Sequence, residues 1–296
     1  MPNLSTVTCI EDLRVVAKRR VPRVAIAPTG LTGMQHADGE ILGARAAKAF
    51  GIPFTLSTMS ICSIEDVAQH AGPGFWFQLY VMRDRDYIER LIDRAKAAGC
   101  SALQLTLDLQ ILGQRHKDIK NGLSSPPKPT LANLINLATK PHWCLGMLGT
   151  KRRTFGNIVG HAKGVGDMSS LASWTAEQFD PQLNWGDVEW IKKRWGGKLI
   201  LKGIMDAEDA RLAVNSGADA LIVSNHGGRQ LDGAASSIAA LPAIAEAVGK
   251  DIEVWMDGGI RSGQEKELDI TMAFCGHTNI NTVDRGILLP GTYPLA

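Results

Sequence analysis

The feature that most constrains this chain is a recurrence. Short apolar runs, each closing on a polar residue or a Gly-containing loop, alternate with stretches of helical length. The runs lie at Val24–Pro28, Pro53–Thr58, Phe75–Val81, Ala102–Asp108, Lys198–Gly203, Ala220–Val223 and Ile252–Asp257. Apolar segments of this length, too short for helices and separated by them, read as buried strands in βαβ units, so a parallel sheet or barrel is expected. Helices are predicted at Cys9–Arg20, Gly39–Phe50, Tyr87–Ala98 with Gly99 as its stop, Asp206–Ser216 and Ala239–Val248. Seven strands are counted, and an eighth is missing.

A chain of 296 residues with 45% hydrophobic content can bury one large α/β core, and a single domain over 1–296 is expected. A formal charge of +2 gives no broad basic field, so nucleic acid is not an implied partner. Five cysteines, an odd number without a C-x-x-C pair, fit reduced thiols and argue against a structural zinc site. The start, Met1-Pro2-Asn3-Leu4-Ser5, lacks the basic and apolar regions of a signal peptide, and no apolar run is long enough to span a bilayer. A cytoplasmic setting is the expectation.

Polar residues recur on one side and at one end of these strands. Gln78 and Tyr80 share a face, as do Gln104, Thr106 and Asp108. Polar groups on a buried face are costly unless something satisfies them, so this face is read as a pocket lining; for Gln78 and Tyr80, core hydrogen bonding is the alternative. Lys202 ends one strand, and Asp257-Gly258-Gly259-Ile260-Arg261 follows another as a plausible phosphate cradle of N–H groups and a guanidinium. After Val223 comes Ser224-Asn225-His226-Gly227-Gly228-Arg229-Gln230-Leu231-Asp232-Gly233. His226 can take a proton near neutral pH, Arg229 can grip a carboxylate, and the glycines let the backbone approach a ligand. A bare His-Gly-Gly-Arg also fits an ordinary loop.

The whole string is more specific, and it resembles the active-site signature of the FMN-dependent 2-hydroxy-acid dehydrogenases and oxidases. The resemblance runs from Ala25 to Gln264 and resumes from Glu265, and it is similar to the quinone-linked bacterial L-lactate dehydrogenase type. It implies a (β/α)₈-type TIM barrel, here lacking the eighth strand, with FMN as cofactor and no metal. It implies His226 as general base with Asp108 as its carboxylate partner, Tyr80 and Arg229 on the substrate, Arg115 as a second guanidinium near it, and Lys202 beside the flavin. Cofactor contacts are implied at Pro28, Thr29, Gly30, Ser57, Gln78, Thr106, Lys202, Ser224, Asp257, Gly259 and Arg261. Tetramers are usual in the family, so a homo-oligomer is expected. Two family segments are absent: one near Val24 that carries a substrate-contacting tyrosine, and one after Gln264 that carries the eighth strand and its Gly-Arg phosphate contact.

Between Gly122 and Asp187 lies an insert too long for an ordinary connection. It holds Pro126-Pro127-Lys128-Pro129, an amphipathic piece at Leu131–Ala138, and Trp143, Leu145, Met147 and Leu148 beside Lys151-Arg152-Arg153. Apolar residues next to a basic triplet fit peripheral contact with an anionic membrane, at the inner face of the cell membrane; a lid or an oligomer contact fits as well. The implied reaction is oxidation of an L-2-hydroxy acid, L-lactate first, to the 2-oxo acid, with electrons passing to a quinone or similar acceptor. The rivals are a soluble oxidase using O₂, a non-catalytic remnant left by the missing segments, and an aldolase with Lys202 as Schiff-base nucleophile, which leaves Asp108, His226 and Arg229 without a purpose.

Overall fold

Six of the seven expected strands form one parallel sheet in sequence order. They are β1 (Thr55–Ser57), β2 (Trp76–Tyr80), β3 (Ala102–Thr106), β4 (Lys198–Ile204), β5 (Ala220–Val223) and β6 (Glu253–Met256). The structure is a computed structural model that describes residues 24–109, 131–166, 174, 178–231 and 233–258. The segment expected as a strand at Val24–Pro28 makes one parallel bridge, Ile26 to Phe54. Prolines at 28 and 53 remove donors on both sides of that bridge, which limits the ladder. No eighth strand occurs among the described residues.

Side chains alternate across the sheet, and each face has its own core. Leu56, Phe77, Leu79, Leu103, Leu105, Leu199, Leu201, Leu221 and Val223 pack into the large cluster shared with the helices. Ala102, Ile200, Ala220 and Ile222 form a second cluster on the opposite face, with Trp76 and Trp255 against it. Trp76 belongs to β2 and Trp255 to β6, yet their rings meet edge-on with centroids 5.6 Å apart. Four strand steps in a flat sheet would separate those strands by about 19 Å. The sheet therefore curls around this smaller face, as a barrel wall does.

The helices cover the outer face. They are α1 (Thr32–Gln35), α2 (Gly39–Phe50), α3 (Ile64–Ala71), α4 (Arg85–Ala97), α5 (Leu131–Ala138), α6 (Pro141–Gly149), α7 (Trp185–Trp195), α8 (Ala207–Asn215) and α9 (Ser237–Val248). The helix expected at Gly39–Phe50 has those bounds, the amphipathic piece at Leu131–Ala138 is a helix, and the helices expected at Tyr87, Asp206 and Ala239 shift by one to two residues. Helices α1 and α6 were not anticipated, and neither were α3 and α7. The last two each open with a capping box, Ser63 with Asp66 and Asn184 with Asp187, so the insert ends before Asp187.

Much of the insert is core rather than lid. Beyond α6, Phe155, Ile158, Ala162 and Val165 are buried. Asn157 is fully buried, its amide donating to Ser60 Oγ at 3.0 Å and accepting from the Ile64 N–H at 3.0 Å. Two members of the basic triplet are bonded within the fold. Arg152 pairs with Asp66 at 2.7 Å and Asp38 at 3.1 Å, and Arg153 donates to the Thr150 and Leu148 carbonyls at the end of α6. Ala25–Gly258 form one unit; Met1–Val24 and Gly259–Ala296 group separately and, Val24 aside, lie outside the described residues. The helix expected at Cys9–Arg20 falls there.

Candidate active site

The polar face ends in a set of groups that the fold brings together from four strands. Asp108 follows β3, Lys202 lies within β4, Ser224 and His226 follow β5, and Asp257 follows β6. His226 Nδ1 is 2.8 Å from Asp108 Oδ1. The other carboxylate oxygen of Asp108 lies 3.9 Å from Lys202 Nζ, and Asp257 Oδ2 lies 3.3 Å from the same ammonium. Lys202 donates to Ser224 Oγ at 2.7 Å, and Ser224 Oγ also accepts the His226 N–H at 3.1 Å. One hydroxyl thus ties the cation to the backbone of the histidine.

The histidine is held in an uncommon conformation. His226 has φ 57°, followed by Gly227 at 65° and Gly228 at 70°. A non-glycine residue in the left-handed region costs about 1–2 kcal/mol and persists where its surroundings fix it, often at functional sites. Here Asp108 and Ser224 do the fixing, and the glycines carry the turn onward. The Asn225 carboxamide accepts the Gly228 N–H at 3.1 Å and closes the loop. The Gln230 side chain donates to the Asp108 carbonyl at 3.2 Å, linking the loop back to β3.

Next to this cluster is a buried polar strip. Ser57 donates to Gln78 Oε1 at 3.0 Å, and Gln78 Nε2 donates to Thr106 Oγ1 at 3.0 Å. The three lie on β1, β2 and β3, where register sets Ser57 beside Gln78, with Tyr80 beside Thr106. Gln78 therefore finds its partners within the chain, as core hydrogen bonding requires. Gln104, one turn of the pleat deeper, is buried with its Nε2 lacking a hydrogen-bond partner. Tyr80 is buried, with Phe179 edge-on to its ring at 5.6 Å. Phe179 reaches it because its segment forms an antiparallel bridge to Met82.

Pro28, Thr29 and Gly30 lie on the loop before α1, where the Leu31 N–H donates to the Met59 carbonyl at 2.9 Å. Arg229 ends the His226–Gly228 turn. Arg115, Gly259 and Arg261 lie outside the described residues. Sequence reasoning missed Thr58, whose hydroxyl donates to the Gln78 carbonyl at 2.6 Å, and Glu40, a buried acid with no distinguishing motif. It also missed Gly203, whose place beside Asp108 no local pattern discloses.

This arrangement matches a family over most of the chain. Residues 18–266 match the family described as FMN-dependent dehydrogenase. The chain belongs to that family. It is 49% identical over 242 residues to the L-lactate dehydrogenase of Pseudomonas entomophila (strain L48), an alignment that covers 81% of this chain and 63% of that protein. The L-lactate dehydrogenase of Xanthomonas campestris pv. campestris (strain B100) is 48% identical, over 81% of this chain and 62% of its own length. The chain thus spans less than two thirds of these relatives. Among solved structures, monotopic membrane protein (S)-mandelate dehydrogenase superposes with a TM-score of 0.75 at 33% identity, covering 88% of this chain and 68% of that one. Mandelate oxidase with (S)-4-hydroxymandelic acid gives 0.66 at 36% identity, covering 86% and 64%.

The family's cofactor is FMN, and the residues in place fit it. Lys202 presents a buried cation at the strand ends, and Ser57, Gln78, Thr106 and Ser224 present hydroxyls and an amide on the same face. Asp257 Oδ1 is buried without a hydrogen-bond partner, an acceptor suited to a ligand hydroxyl.

Proposed function

We propose that this chain oxidises a small L-2-hydroxy acid, L-lactate first, to the 2-oxo acid. The observation that carries the reading is the His226–Asp108–Lys202–Ser224 constellation at the C-terminal ends of a curled parallel sheet. With Nδ1 engaged by Asp108, the imidazole keeps Nε2 for the substrate proton. Asp108 then stabilises the imidazolium that forms. Arg229 would grip the substrate carboxylate and Tyr80 would orient it.

Bound FMN supplies the two-electron acceptor for the substrate α-carbon. Lys202, Ser224, Asp257, Gln78, Thr106, Ser57 and the Pro28–Gly30 loop are the residues that would hold it. The Lys202 ammonium favours negative charge beside it in a site shielded from water. It is already engaged by two carboxylates and a hydroxyl, which suits an electrostatic role over a Schiff-base one.

Electrons would pass to a quinone or similar acceptor, and a peripheral membrane contact would bring that acceptor within reach. Ile135, Leu145 and Leu148 on α5 and α6 are exposed at 61%, 67% and 71%, a lipid-facing set of apolar side chains. No helix among the described residues is long and apolar enough to cross a membrane. The likeness to mandelate oxidase favours a second reading, O₂ as acceptor. The test is the visible spectrum of the purified protein before and after anaerobic L-lactate. Flavin bands that bleach support the reading, and hydrogen peroxide formed on admitting air identifies the oxidase branch. A protein that stays colourless after incubation with FMN leaves the non-catalytic remnant.

A further inference from the structure

Glu40 is an acid in the wrong place for a surface helix. It sits in the first turn of α2, yet it is 1% exposed, and it has no cationic partner among the described residues. Burying a carboxylate this way is costly unless donors surround it. Three backbone N–H groups donate to it, and the Cys62 thiol is hydrogen-bonded to it as well. Oε1 accepts the Gly33 N–H at 2.9 Å and the Ile61 N–H at 3.0 Å, and Oε2 accepts the Cys62 N–H at 3.4 Å.

Those amides belong to two different segments. Gly33 lies in α1, directly after the Pro28–Gly30 loop, while Ile61 and Cys62 lie in the loop that follows Ser57 and Thr58 at the end of β1. Both segments adjoin residues assigned above to the cofactor. Their direct link is the Leu31 N–H to the Met59 carbonyl at 2.9 Å. Packing leaves no slack there. A Cβ on Gly33 would lie 2.6 Å from Ile61 Cβ and 2.8 Å from Glu40 Oε2. Burial, and then the Glu40 charge, push the Cys62 thiol upward, which fits a carboxylate lodged in this junction.

We propose that Glu40 is a positioning residue of the flavin site: one carboxylate fastens the Pro28–Gly30 loop, through the start of α1, to the Ser57–Cys62 loop and so shapes the wall against which the cofactor binds. The proposal rests on the flavin reading given above. It assigns Glu40 no contact with substrate or cofactor.

The variants E40Q, E40D and E40A separate this role from bulk stability. Gln keeps one acceptor oxygen for Gly33 and Ile61 and presents an amide to the Cys62 N–H. Asp is one methylene short, and Ala leaves three buried donors unpaired. Apoprotein of each is titrated with FMN by fluorescence quenching, with thermal melting of the same apoproteins in parallel. The expected order of weakening is E40A, then E40D, then E40Q, with E40A and E40D losing about tenfold or more in affinity and E40Q about threefold, in line with one or two unpaired buried amides. If E40A does not fold, the E40D-to-E40Q comparison still decides. Equal FMN affinity in wild type, E40D and E40Q overturns the proposal while leaving the flavin reading intact. Wild-type apoprotein that binds no FMN overturns both.

Discussion

A Cβ added to Gly203 would fall 2.9 Å from the Cβ of Asp108 and 3.0 Å from its carboxyl carbon. Gly203 also has φ 107°, a conformation that side chains rarely adopt. It directly follows Lys202, whose carbonyl accepts the Leu107 N–H at 2.8 Å, so the chain after β3 crosses β4 at this glycine. Any side chain there pushes Asp108 away from His226. G203A is expected to lower stability by about 1–3 kcal/mol and to lower kcat by more than the lost stability explains, because Asp108 is displaced. Denaturant melts beside steady-state rates check this, and a G203A enzyme with wild-type kcat would show that Asp108 is not held from this side.

D108N isolates the charge. The amide oxygen can still accept from His226 Nδ1, so geometry is largely kept while the stabilisation of the imidazolium is lost. Lys202 retains Asp257 at 3.3 Å, so cofactor binding should survive. The expected result is a fall in kcat of about 10²–10⁴ with KM within a few-fold and flavin content unchanged. Loss of flavin together with rate would mean that Asp108 serves mainly to position Lys202.

The strands and the chemistry at their ends were legible because period-two alternation and a rare motif are local signals. Gln78 with Tyr80, and Gln104 with Thr106 and Asp108, could be assigned a face by parity, Lys202 by its strand end and Ser224 by the resemblance, and the structure brings Gln78, Thr106, Asp108, Lys202 and Ser224 together. What the sequence hid was long-range. Glu40 reads as an ordinary acidic first-turn residue, and only the junction of two loops makes it buried. Arg152 and Arg153 read as part of a basic triplet facing an anionic membrane, but Asp38, Asp66 and the end of α6 engage them. Asn157 lay in what looked like a peripheral insert and proved to sit against the Ser57 loop.

Phe179 supports the Tyr80 ring. It is buried, edge-on at 5.6 Å, and its position depends on the bridge to Met82 and on the Arg83 N–H donated to the Gln178 carbonyl at 2.8 Å. F179L keeps most of the volume but removes the ring edge, an interaction of about 0.5–1.5 kcal/mol beyond burial. The variant should fold, with KM for the hydroxy acid raised about three- to tenfold as the Tyr80 ring gains freedom. Unchanged KM alongside a lowered melting temperature would reduce Phe179 to a packing residue.

Stability at low pH should depend on Glu65. Its bidentate hydrogen bonds with Arg94, both at 2.7 Å, hold its carboxyl at about 2, against a penalty from partial burial. A carboxyl lowered in the folded state stabilises it above the unfolded pKa of about 4.3 and loses that contribution as pH falls toward 2. The side chain is 55% exposed, so the contribution is about 1 kcal/mol or less. E65Q should therefore be less stable than wild type at pH 7, and the two should converge between about pH 4.5 and 2. A gap that persists unchanged at the acid end would assign the loss to packing.

The exposed apolar residues of the insert make the last prediction. Leu145 and Leu148 project from α6, whose Trp143 is anchored by its Nε1 donated to the Met34 carbonyl at 2.9 Å, so the helix is fixed to the body while these side chains stay outside. With Arg152 paired to Asp38 and Asp66, attraction to a membrane from this region comes mainly from apolar burial, with Lys151 and Arg153 as the remaining charges. Each leucine buried in lipid contributes about 1.5–3 kcal/mol, so the double variant L145D/L148D should lose most of its co-sedimentation with vesicles. Binding should weaken only in part when salt is raised, since Lys151 and Arg153 are the smaller contribution beside the apolar one. The variant's rate with a soluble dye acceptor should match wild type, because neither residue belongs to the site. Vesicle binding that vanishes in salt but survives L145D/L148D would instead locate the membrane contact in other, basic parts of the chain.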